Sequence, residues 1–176
     1  MKMFICKFFV FLFVFAFSAC SDSTAESAEG ASDVLVDSRD LQIYKTIEIG
    51  GRVWMAENLN YQEKQGQLYL WNEAMESCPE GWALPSKADF DSLIASVGGF
   101  ANAADSLISR GFISSIQGGY YYMGYYSFFD QYAYFWTCDE VRKNNARSVM
   151  FEKGRSSVSY DETFVEFGLS VRCVKK

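Results

Sequence analysis

Residues 118–137, GGYYYMGYYSFFDQYAYFWT, hold seven Tyr, three Phe and one Trp in twenty positions. The whole chain has 16 Phe, 11 Tyr and 4 Trp, so over a third of its aromatics crowd into about a ninth of its length. No helical stripe runs through them, and aromatic side chains suit a pleated, half-buried surface. Read as strands, the segment sends alternate residues to opposite faces. Tyr120, Tyr122, Tyr134 and Trp136 then point into a core. Tyr121, Tyr125, Tyr126, Phe128 and Phe129 include the residues left to meet solvent or a loop, with Asp130 and Gln131 at the turn. Downstream, β-branched and aromatic residues alternate with Gly, Asn, Asp and Ser turns. Strands are expected near 119–127, 132–138, 145–151, 155–160 and 168–174.

Upstream the pattern is helical. Leu84-Pro85 leads to Ser86 as N-cap, with Asp89 at the capping-box position. Phe90, Leu93, Ile94 and Val97 follow at i, i+3, i+4 and i+7, and Gly98-Gly99 stops the helix. Residues 68–77 read as a shorter helix with Leu70, Ala74 and Trp71 inward, and 102–109 as a further turn or two. Before them, Leu41, Ile43, Lys45, Ile47 and Ile49 share a period-2 face, and Gly50-Gly51 turns that strand into a hairpin with 52–55. Helices early and strands late indicate an α+β fold with a mainly antiparallel sheet.

The amino terminus stands apart. Lys2 and Lys7 precede the apolar run FFVFLFVFAF at 8–17, too short for a bilayer span and suited to a signal peptide. It ends in Phe17-Ser18-Ala19-Cys20, which resembles a bacterial lipobox, where a peptidase cuts before the cysteine and its thiol carries diacylglycerol. Phe17 stands where such motifs usually have Leu, and an ordinary signal peptide cut after Ala19 would leave Cys20 unmodified. The Ser, Ala, Asp and Glu residues that follow have too little apolar surface to fold. The division is therefore a signal peptide at 1–19, a flexible acidic tether at 20–36 and one domain at 37–176. By resemblance to diderm lipoproteins, Ser21 permits export to the outer membrane, and acidic residues near Cys20 occur in surface-exposed ones. The implied location is the bacterial cell envelope.

Without Lys2 and Lys7 the chain keeps 14 Lys/Arg against 22 Asp/Glu, a net charge of −8. That balance has no electrostatic footprint for nucleic acid. The absence of histidine removes Ser-His-Asp and Cys-His catalysis and the usual zinc sites. No Gly-rich phosphate loop is present. Lipidation of Cys20 would leave Cys78, Cys138 and Cys173, one pair and one spare in an oxidising compartment. A Cys78–Cys173 bond would close the longest loop, worth about 4 kcal/mol in the chain-entropy view. The residues alone leave the pairing open.

Several motifs in order then carry a resemblance: YKTIEIGGRVWMAENLNY (44–61), CPEGWALPSKADFDSLIASVGG (78–99), GGYYYMGYY (118–126), YFWTCDE (134–140) and GLSVRCVK (168–175). Together they resemble the Fibrobacter succinogenes major paralogous domain family, over about residues 40–175. The resemblance implies a C-type-lectin-like fold, a looped domain whose N- and C-terminal strands pair, with a disulfide between Cys78 and Cys173. Cys138 departs from the Ser or Thr usual in the family. The stretch before GGYYY is also shorter than in many relatives. The Pro-containing and Trp-Asn-Asp motifs of calcium-dependent lectins are missing, and the only prolines are Pro79 and Pro85. No metal or cofactor is expected.

Aromatic faces stack on sugar rings, and Tyr supplies rigid contact area at low entropic cost. Tyr121, Tyr125, Tyr126, Phe128, Phe129 and Asp130 are thus the candidate ligand-binding residues. Asp139-Glu140 and Asp161-Glu162 are adjacent pairs, which says nothing of the spacing glycoside hydrolysis needs. Lectin-like folds also host formylglycine-generating enzymes, but those need a cysteine pair, and Cys138 has no histidine to activate it. The expectation is a non-enzymatic, lipid-anchored envelope protein with a calcium-independent binding module for polysaccharide or protein. The alternative is a structural assembly protein with no discrete small ligand.

Overall fold

The computed structural model describes residues 34–61, 65–114, 116 and 118–176. The signal segment, Cys20 and the tether as far as residue 33 lie outside the described residues. The sheet starts earlier than the expected domain boundary, because β1 (Val34–Val36) pairs with β2 (Ile43–Ile49) inside the stretch read as tether. β3 (Arg52–Met55) completes the first hairpin. Then come β4 (Leu68–Tyr69), α1 (Trp71–Ser77), β5 (Trp82–Ala83), α2 (Lys87–Ser96) and α3 (Ala103–Ser109). The strand-rich half follows: β6 (Tyr120–Tyr122), β7 (Tyr125–Ser127), β8 (Tyr132–Arg142), β9 (Asn145–Glu152), β10 (Val158–Phe164), β11 (Leu169–Ser170) and β12 (Val174–Lys175).

These make two five-stranded sheets, ordered β1-β2-β3-β12-β5 and β10-β9-β8-β11-β4, and the separate hairpin β6-β7. All named strand pairs are antiparallel except β11 with β8. With three α-helices among the described residues, the chain is α+β. The last strand closes on the first hairpin, since β12 lies between β3 and β5. Cys78, just after α1, and Cys173, just before β12, form a disulfide that ties this closure to the helix.

Local chemistry explains α2 as read. The Ser86 Oγ accepts the Asp89 N–H, and the Asp89 carboxylate accepts the Ser86 N–H at 2.8 Å, satisfying two otherwise orphaned donors. Phe90, Leu93 and Ile94 are buried, and the Gly99 N–H closes the helix on the Ile94 carbonyl at 2.9 Å. These residues pack with Trp54, Leu107, Phe112, Phe135, Val149 and Phe151 in one apolar cluster. A second cluster, with Tyr44, Met55, Leu59, Tyr69, Trp82, Trp136 and Val171, holds α1 through Ala74. β8 serves both: Ala133 and Phe135 enter the first, Trp136 the second.

Three expectations change. Leu70 lies at the start of α1 and is exposed, its N–H capped by Glu73; only Ala74 is fully buried, with Trp71 half-buried and donating its indole N–H to the Thr137 carbonyl. The apolar face of β2 is buried at Ile49 and half-buried at Ile47, but Leu41 and Ile43 are exposed, because the helix-side cluster reaches only the far end of the strand. The opposite face contributes buried Tyr44 and Thr46 instead. Residues 168–174 are not one strand. The carbonyls of Val171 and Cys173 accept N–H groups from Leu59 and Met55, so the chain leaves one sheet and enters the other.

Candidate functional site

β6 and β7 pair as Tyr120↔Ser127, Tyr121↔Tyr126 and Tyr122↔Tyr125 around Met123-Gly124, both at positive φ, the geometry of a tight two-residue hairpin. Gly119 permits the entry: a side chain there would meet the Ser127 carbonyl oxygen at 2.0 Å. The hairpin is pinned to the domain along one edge, where Tyr121 and Gly168 exchange backbone hydrogen bonds of 3.0 and 2.7 Å. Tyr120 and Tyr122 turn inward onto Phe167, the second stacked at 4.3 Å and 8°.

The other residues face out. Tyr125 is 75% exposed, Tyr126 43%, Phe128 46% and Phe129 51%, with Met123 at the tip and Asp130 also exposed. Phe128 has φ +57°, a conformation that costs a bulky residue on the order of 1–3 kcal/mol. Its carbonyl accepts the N–H groups of Gln131 and Tyr132, and its ring sits between Tyr120 and Tyr132 at 5.7 and 5.5 Å. The fold thus holds an aromatic ring at the surface in a strained backbone. Tyr121 departs from the group: it is half-buried, its ring 5.0 Å from Tyr126. Of the four residues expected inside, Trp136 is fully buried while Tyr120, Tyr122 and Tyr134 are half-buried. Burial pushes the Tyr134 phenol up to about 12, with Asp161 adding to it.

A polar cavity of about 370 Å³ is lined in part by Asn58, Asn60, Gln67 and Arg172. Arg172 was not among the residues singled out from the sequence. The signal was there, a cation between Val171 and Cys173 in an apolar run, but its hydrogen-bond acceptors come from segments 60 and 114 residues away. Its side chain is buried at 4% exposure.

A model of the Fibrobacter succinogenes major domain matches residues 60–175. The chain belongs to that family. No curated protein and no solved structure matches it. The Fibrobacter succinogenes major domain match contains the whole aromatic hairpin and both disulfide cysteines, whereas β1 to β3 and several cavity residues precede it.

The remaining candidates disperse. Asp139 accepts the Lys87 N–H at the start of α2, and Glu162 pairs with Arg142, so neither acidic pair stands across a cleft as a unit. Cys138 is half-buried, and burial followed by Asp139 pushes its thiol up, away from the reactive thiolate. Among the described residues no three His, Cys, Asp or Glu side chains are grouped to hold a metal, and no helix is long and apolar enough to cross a membrane.

Proposed function

We propose that the protein is a non-enzymatic, lipid-anchored cell-envelope protein whose lectin-like module binds polysaccharide or an envelope protein without calcium. Cys20 carries the lipid, the tether spans from it to β1, and the outer membrane is the site of anchoring. The observation that carries the binding reading is a group of exposed rings at the β6–β7 hairpin and the turn after it. Tyr125 and Tyr126, on opposite faces of β7, and Phe128 and Phe129 just beyond it remain exposed, and Phe128 does so in a costly backbone conformation. The C-type-lectin-like assignment is supported by the closure of β12 on β3 and by the disulfide beside it.

The experiment is retention of the protein on insoluble polysaccharides and a glycan array, with and without chelator. Chelator-insensitive retention that is lost in a folded Tyr125→Ala/Tyr126→Ala variant supports the reading; retention that needs calcium overturns it. One observation favours the assembly alternative. Val34, Val36, Leu41 and Ile43 form a second exposed apolar group on the β1–β2 edge. Concentration-dependent association without any glycan retention would select that reading.

A further inference from the structure

The guanidinium of Arg172 has hydrogen bonds but no ion pair; the Glu57 carboxylate, on the wall of the same cavity, favours its charge only from a distance. Its two terminal nitrogens donate to the Phe112 carbonyl and to the Asn58 side-chain oxygen, both neutral acceptors. Its Nε is buried without an acceptor. The Phe112 and Phe135 rings lie 5.0 and 5.2 Å from its central carbon, which confines the group without neutralising it. Among the described residues no carboxylate forms an ion pair with it. A buried cation left without a partner is costly, and cores normally pair such a charge or replace it with an apolar side chain. Burial lowers the pKa of Arg172 to about 9, so the group is still charged at neutral pH.

The cavity next to this charge has an otherwise polyhydroxyl-friendly wall. Gln42, Asn60 and Gln67 line it with amides, and the Tyr44 hydroxyl is held by Gln42 and by the Asn60 N–H at 3.1 Å. Its volume of about 370 Å³ lies at the small end of ligand sites, suited to one ring rather than a chain. Glu57 also lines it, with one carboxylate oxygen taken by the Lys45 N–H at 2.7 Å. The aromatic hairpin is adjacent. A side chain on Gly66 would meet the Tyr126 ring at 2.9 Å, and the next residue, Gln67, is cavity wall.

We propose that the cavity is a carboxylate subsite that takes a uronic-acid unit of an acidic polysaccharide. The ligand carboxylate supplies the direct ion pair that Arg172 lacks, and the amides take ring hydroxyls. The neighbouring aromatic face stacks on the adjoining sugars. The sugar part of this proposal rests on the polysaccharide reading of the hairpin; the anion part rests on Arg172 alone.

Ligand-observed NMR of the full chain with D-glucuronate, D-galacturonate and D-glucose tests it. Both or either of the uronates should bind at least about tenfold more tightly than glucose, as an added ion pair in a partly desolvated site requires. Arg172→Met is a poor probe because that buried side chain also joins the Phe112 carbonyl to Asn58, so two wall variants serve. Glu57→Gln removes the like charge and keeps an acceptor for Lys45, and should tighten uronate binding by about threefold or more. Asn60→Asp adds a like charge without changing shape and should weaken it by about tenfold. Equal binding of uronate and glucose, no uronate binding, or no tightening in Glu57→Gln overturns the subsite. The two readings separate in Tyr125→Ala/Tyr126→Ala. Lost polymer retention with uronate binding intact supports both. Polymer retention without any preference for uronate leaves the hairpin reading standing and removes this one.

Discussion

β8 and the β6–β7 hairpin have nearly the same chemistry and opposite fates. Phe135 and Trp136 on β8 are sealed between two apolar clusters, whereas Tyr125, Tyr126, Phe128 and Phe129 a few residues earlier stand in solvent. The difference is not composition but partners. β8 has β9 on one side and β11 on the other, with helical and strand residues packed against both faces. The hairpin has its own two strands, a pinned edge at Gly168 and a single bridge from Gly119 to Ala133 at its entry. Aromatic content therefore marks a strand, and the number of layers over it decides whether the rings are core or surface.

That contrast breaks first at β8. Trp136→Ala removes a fully buried indole whose N–H donates to the Tyr69 carbonyl at 2.8 Å, and should cost about 3–5 kcal/mol by denaturant titration. A loss near that of a surface substitution would mean β8 is not the interior strand. Next in size is the disulfide. Cys78 and Cys173 are 95 residues apart, so Cys78→Ser should cost about 2–5 kcal/mol, with the same loss on reduction of the native protein. Insensitivity to reductant would show that the closure of β12 is held without it.

A smaller effect belongs to the acid side. Arg39 holds the buried Asp37 carboxyl below its ordinary value of 3.8, against the opposing effect of burial. The unfolded chain then binds the proton more readily, so this contribution is present above about pH 4 and is lost as pH falls through the lowered value. Asp37→Asn should flatten that part of the acid-unfolding curve; an unchanged curve would place the acid sensitivity elsewhere. The smallest effect on stability is expected at the hairpin. Tyr125→Ala should shift unfolding by no more than about 0.5 kcal/mol, as surface substitutions do. A larger loss would make Tyr125 a packing residue and collapse the contrast.

What the sequence made legible was local. The cap at Ser86, the stripe from Phe90 to Val97 and the Gly98-Gly99 stop are fixed within one helix, and they stand as read. The aromatic stretch was half legible: alternation separated inward from outward rings, but Tyr121 is half-buried through Gly168, a contact 47 positions away that no local pattern carries. The exposed end of β2 and the break between β11 and β12 depend on which element covers or pairs with them. Arg172 is the extreme case. Its acceptors are Asn58 and Phe112, so its environment exists only after both sheets have formed. The acidic neighbours of residues 34–36 give that stretch the composition of a tether, although three hydrophobic residues there complete a sheet edge.

The most direct test of the central claim is retention of the wild-type protein and of the Tyr125→Ala/Tyr126→Ala variant on the same insoluble polysaccharide panel, in chelator. The account predicts that the wild type is retained on at least one polymer class and that the variant, with unchanged unfolding behaviour, is not. Equal retention of a fully folded variant would contradict it, and the exposed rings of the β6–β7 hairpin would not be the binding surface.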